Sequence, residues 1–192
     1  MRTSTADDFN DWVRPFLPKI QFAMVAHTRF RPCNQSLRKI GFRRNACSEI
    51  LEETLKAVSL NMYPNDPKLP FRRRIQYRPL TFTTVEGLSP NLTIDKTMHF
   101  NILIGNLPSD FTKQKLMFHF MKSWVGKFGQ SDDIWIRSAD ELIKTDENST
   151  DTPIQVVSRY FQKEAYENKS NAWSTEGTFD TRNIWLPHEA LR

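Results

Sequence analysis

His99 and Asn101 stand two residues apart in the run Met98-His99-Phe100-Asn101-Ile102-Leu103-Ile104. The run has the pattern of a β-strand, in which side chains alternate between faces. His99, Asn101 and Leu103 therefore share one face, and Phe100, Ile102 and Ile104 share the other, which suits a core. The imidazole and the amide oxygen lie roughly 7 Å apart at the backbone. Such a pair can hold a divalent cation if a third ligand arrives from a neighbouring strand; otherwise it is a polar pair on a half-solvated sheet. A second β-rich run, residues 80–86, ends in the carboxylate of Glu86. Downstream, residues 155–168 read as a helix in which Tyr160 and Lys163, three apart, lie on one face. Tyr166 is six residues beyond Tyr160 and points elsewhere, roughly 240° around the helix. A phenol with a pKa of about 10 is a poor nucleophile at neutral pH unless a positive group assists it, and Lys163 is placed to do so.

Several elements must position these groups. Residues 21–28 read as a first strand. From Ala46 to about Met62 apolar residues recur at helical spacing, ended by Pro64-Asn65-Asp66-Pro67. Strands are predicted at about 72–86 and 97–105, joined by turn chemistry at 87–91, which makes an antiparallel hairpin. A helix capped by Ser109 or Asp110 buries Met117, Phe120, Met121, Trp124 and Phe128. His119 lies on that helix between apolar neighbours and reads as a packed or surface histidine. A short strand follows at 134–136, then an acidic loop over 139–153. The expected fold is a single α+β domain: a central antiparallel sheet of four to five strands with packed helices. Residues 1–20 form an N-terminal extension, 21–168 the domain, and 169–192 a docked tail.

Charge is unevenly placed. The chain of 192 residues carries a net charge of +5. Residues 1–80 hold 15 Lys/Arg against 7 Asp/Glu, whereas residues 81–192 hold 12 against 15. The basic half includes Arg29, Arg31, Arg38, Lys39, Arg43, Arg44 and the run Arg72-Arg73-Arg74 with Arg78, interleaved with Phe30, Phe42, Phe71 and Tyr77. Arginine suits bidentate phosphate contact, and basic grooves with stacking rings hold single strands. If 72–86 is one strand, Arg72, Arg74 and Arg78 share a face and lead toward Glu86. Cys33 and Cys47 match neither a zinc nor a disulfide framework. No apolar run approaches a membrane span. Asp7, Asp8, Asn10 and Asp11 interrupt any leader-like segment. A cytoplasmic protein is the expectation.

The ordered set of a strand ending in Glu86, a strand with His99-x-Asn101, and Tyr160-x-x-Lys163 resembles the HUH endonucleases of rolling-circle replication, of phage and plasmid initiator type. Val157, Tyr160 and Lys163 fall where that family carries Val, Tyr and Lys. Residues 22–28 are a loose counterpart of its first, threonine-ended strand. The family's His-hydrophobe-His is here His99-Phe100-Asn101, a weaker donor set still acceptable to Mg²⁺ or Mn²⁺. His27, at the end of the first strand, is a substitute ligand or a surface histidine. The resemblance covers roughly residues 20–168. It implies Tyr160 as nucleophile, Lys163 as its support, and His99, Asn101 and Glu86 as metal contacts. The implied activity is nicking of single-stranded DNA with a 5′-phosphotyrosine link; no helicase P-loop is present in the sequence, which leaves open whether a host helicase acts with it. Arg43, Arg44, Arg72, Arg73, Arg74 and Arg78 are the expected nucleic-acid contacts. The alternatives are a catalytically inactive nucleic-acid-binding or regulatory protein on the same fold, and a protein-interaction domain whose arginines meet an acidic partner.

Overall fold

The computed structural model describes residues 11–142, 152–160 and 179–186. Four strands form one antiparallel sheet in the order β2-β3-β1-β4: β1 Ile20–His27, β2 Leu80–Glu86, β3 His99–Gly105 and β4 Ile134–Ser138. Mixed α+β architecture around a four-stranded antiparallel sheet is what the patterning predicts.

The alternation within β3 sorts the molecule into two layers. Phe100, Ile102 and Ile104 join Phe22, Met24 and Ala26 of β1 against the long helix α1, Leu37–Leu60. That helix starts at Ser36, whose hydroxyl accepts from the Lys39 amide at 3.3 Å, and it buries Ile40, Cys47, Leu51, Leu55 and Val58. It begins nine residues before the predicted start: Gly41 is tolerated inside it because the capped first turn and Ile40 hold the helix in place. The helix α4, Lys113–Met121, is capped by Thr112 and continues as a π-helical turn over Lys122–Lys127. It adds Leu116, Phe120 and Trp124 to the same layer.

The opposite face carries Ala23, Leu80, Phe82 and Leu103. It is covered by Val13, a 3₁₀ helix over Arg14–Lys19, and Ile154 of α5, Pro153–Tyr160.

Two departures from the sequence expectation matter for function. Residues 69–77 are not strand but two single-turn helices, α2 Leu69–Arg72 and α3 Arg74–Tyr77. Pro70 sits in the first turn of α2, where its fixed φ favours a helix, and Tyr63 meets Tyr77 edge-on at 5.4 Å. The strand β2 starts only at Leu80, so the arginine run stands at the opposite end of β2 from Glu86. Residues 179–186 dock along the free edge of β2. Thr81 and Trp185 exchange backbone hydrogen bonds at 3.0 Å, and the Asp180 amide donates to the Thr83 carbonyl. This strap protects an edge that would otherwise be open to strand addition.

Candidate functional site

Sheet register builds the site. Glu86 ends β2, His99 starts β3 and His27 ends β1, and the pairing sets Glu86 opposite His99 and His99 opposite His27. The three side chains form one row across three strands, at one end of the sheet. Asp133, just before β4, extends the row: its carbonyl accepts from the His27 amide at 3.2 Å. The row belongs to the face that also carries Leu103 and Ala23, against which α5 packs.

Glu86 is 1% exposed, and its Oε2 lies 3.2 Å from His99 Nε2. His99 Nδ1 lies 3.3 Å from the Thr97 carbonyl. Burying a carboxylate is costly unless a charged or hydrogen-bonding partner accompanies it, and His99 is that partner. The His27 and His99 rings stack at 4.8 Å between centroids. His27 Nδ1 is 2.8 Å from Thr97 Oγ1, and its Nε2 is 3.8 Å from Asp133. Burial lowers the His27 pKa from its ordinary 6.5; the neighbouring His99 and Lys96 lower it further, against the pull of Asp133. Its ring is thus held toward the neutral form.

Gly87 closes the row. Its φ is +74°, and a Cβ there would fall 2.6 Å from the Thr97 carbonyl oxygen. Only glycine lets the β2–β3 connection press this closely beside Glu86. Together these residues line a pocket of about 490 Å³, with Asp95, Lys96 and Ser131 at its mouth.

Of the residues singled out in sequence, Glu86 and His99 meet in this pocket. Asn101 lies one rung deeper, opposite Val25 and Thr84, 3% exposed, with its Nδ2 3.5 Å from Thr84 Oγ1. It does not line the pocket. Tyr160 is the last described residue of α5, and Lys163 lies outside the described residues. Arg72 pairs with Asp66, Arg73 is exposed, and Arg74 lies in α3. Arg78 stacks over Trp185 at 3.7 Å. Arg44 donates to the Phe179 carbonyl at 2.9 Å, and Arg43 is exposed. His119 is partly buried, stacked on Phe111 at 6.0 Å.

Sequence reasoning missed Thr97 and Asp133 and left His27 unresolved. His27 does share strand parity with Val25 and Ala23, but only the register with β3 sets it beside His99.

His99 and Glu86 would be the two protein donors to a hard cation bound here. His99 Nε2 and Glu86 Oε2, 3.2 Å apart, have the spacing of two adjacent ligands bound at about 2.1 Å each. The Thr97 carbonyl beside Nδ1 is the outer partner that orients ligating histidines. Among the described residues, no group of three or more His, Cys, Asp and Glu side chains is arranged to hold a metal ion. Any ion here would take its remaining ligands from water or a phosphate, the habit of Mg²⁺.

No protein-family model matches the chain, and comparison with curated proteins and with solved structures gives no match. Among the described residues, no helix is long and apolar enough to cross a membrane.

Proposed function

We propose that this chain nicks single-stranded DNA in the manner of the HUH endonucleases it resembles, with Tyr160 as nucleophile and Glu86 and His99 as protein donors to Mg²⁺ or Mn²⁺. One observation supports this reading above the others. Glu86 and His99, thirteen residues apart in sequence, meet at 3.2 Å in a pocket on the sheet face that also receives the Tyr160 helix. The phenol oxygen of Tyr160 gives up its proton and attacks phosphorus. The bond from phosphorus to the 3′-oxygen breaks, and that oxygen takes a proton to leave as a 3′-hydroxyl. The 5′-phosphate stays esterified to tyrosine. Lys163 stabilises the phenolate, and Lys96 at the pocket mouth offers a cation to the phosphate chain. A bound divalent ion would supply a Lewis acid to the oxygens of the scissile phosphate.

The test is cleavage of a labelled single strand with Mn²⁺. Tyr160→Phe is expected to abolish both nicking and the covalent adduct; full nicking by that variant overturns the assignment. His99→Ala is expected to remove Mn²⁺ binding in calorimetry.

A second reading has its own observation. The nitrogens of His27 are turned to Thr97 and Asp133 rather than toward the Glu86–His99 pair. That arrangement favours a catalytically inactive nucleic-acid-binding protein on the same fold. Wild-type protein that binds no divalent ion would make it the better account.

A further inference from the structure

Six described cations away from the pocket pair with carboxylates. Arg14 pairs with Asp11, Lys56 with Glu52 and Glu53, Arg72 with Asp66, Lys113 with Glu141, Lys115 with Asp110, and Arg182 with Glu49 and Glu52. One stretch of the chain carries basic residues with no acidic residue among them. Residues 12–48 contain no Asp or Glu. Within them Arg29, Arg31, Arg38, Lys39 and Arg43 are exposed, and none forms an ion pair with a described residue. Phe42, one turn beyond Arg38 on α1, is 70% exposed. An aromatic ring left in water among arginines is unfavourable for folding and suited to stacking.

The surface is continuous with the pocket. The β1–α1 connection is tied to the loop that closes the pocket: the Met98 amide donates to the Phe30 carbonyl and the Asn34 amide to the Pro90 carbonyl, both at 3.0 Å. Arg31 is close enough to Asp95 at the pocket mouth to act on it electrostatically.

We propose that single-stranded DNA leaving the pocket runs over this connection onto the first two turns of α1. Arg29, Arg31, Arg38, Lys39 and Arg43 contact successive phosphates, and Phe42 stacks on a base. Charge complementarity argues for a polyanion, and the exposed ring argues for unpaired bases over a duplex, whose bases are already stacked. The arginine run at 72–78 is not part of the path, because it stands at the far end of β2. The proposal rests on the nucleic-acid reading of the pocket for its direction, and it does not depend on cleavage.

Binding of fluorescein-labelled oligothymidylate to the full chain, measured in EDTA across a salt series, tests it. The triple variant Arg38→Ala, Lys39→Ala, Arg43→Ala is expected to flatten the slope of log K against log salt by about 0.7 per lost contact, roughly two in all. Phe42→Ala is expected to weaken binding roughly tenfold with the slope unchanged, since stacking releases no counterions. All four positions are exposed, and circular dichroism checks that the variants fold. An unchanged slope with undiminished Phe42→Ala binding overturns the proposal. So does tighter binding of duplex, or equal competition by polyglutamate, which would mark an acidic protein as the partner. Binding with these losses but no nicking by wild type would sink the endonuclease reading and leave this surface standing. Nicking with an unchanged slope would sink the surface alone.

Discussion

The β3 strand shows two sets of side chains to two different environments. Toward α1 and α4 it presents Phe100, Ile102 and Ile104, none of them exposed to solvent, in a layer with Trp124, Leu51 and Leu55. Toward α5 it presents His99, Asn101 and Leu103, grading from a pocket at one end to a small apolar cluster at the other. The first face is bound by shape alone. The second carries a buried carboxylate and two imidazoles that a stable fold does not need. Buried polar groups gathered beside a pocket, which packing alone does not call for, are the ones that point to function.

Substitutions on the two faces should therefore separate stability from binding. Phe100→Ala empties a fully buried site that meets Trp124 edge-on, and is expected to cost about 3–5 kcal/mol in denaturant unfolding. A loss under about 1 kcal/mol would mean that the dry layer is loosely packed and the contrast false.

Asp180→Ala comes next. Asp180 is 2% exposed, accepting from Ser48 at 2.6 Å and from Asn183 at 2.7 Å, so it pins the strap to α1. Leaving those donors without their acceptor is expected to cost about 1–3 kcal/mol, read as a lowered Tm.

On the polar face the expectation reverses. Replacing both partners at once, Glu86→Met with His99→Leu, removes the buried polar pair without leaving one member unmatched. Stability should change by less than about 1 kcal/mol, of either sign, because a buried pair taken as a whole contributes little net stability. Calorimetric Mn²⁺ binding should vanish. A large destabilisation with binding retained would make the row part of the core rather than a site.

The smallest effect concerns Cys47, on the dry face. Burial raises its thiol pKa from 9.0 to about 11. The folded state holds the proton that the unfolded state releases, so this contribution is intact below pH 9 and is lost as pH rises from 9 to about 11. Cys47→Val should flatten the fall in Tm over that window. Cys47 should also resist alkylation at pH 8 in the folded protein while partly exposed Cys33 reacts.

Local features were legible along the chain. Period-two alternation put His99 and Asn101 on the face opposite Phe100. The turn residues at 87–91 made β2 and β3 a hairpin, and the spacing of Leu51, Leu55 and Val58 marked the core face of α1. Those signals come from neighbours along the chain, and the structure carries each of them. Three features of the site were not legible there: that His27 stands beside His99, that Asn101 lies a rung below the pocket, and that Arg72 to Arg78 fall at the far end of β2. Each depends on strand register and on where a helix replaces a strand. A slip of one residue would send every side chain of a strand to its other face, and what prevents the slip is packing between residues far apart in sequence: Trp124 donating to the His27 carbonyl from the opposite layer, and Thr28 held on the Met98 carbonyl.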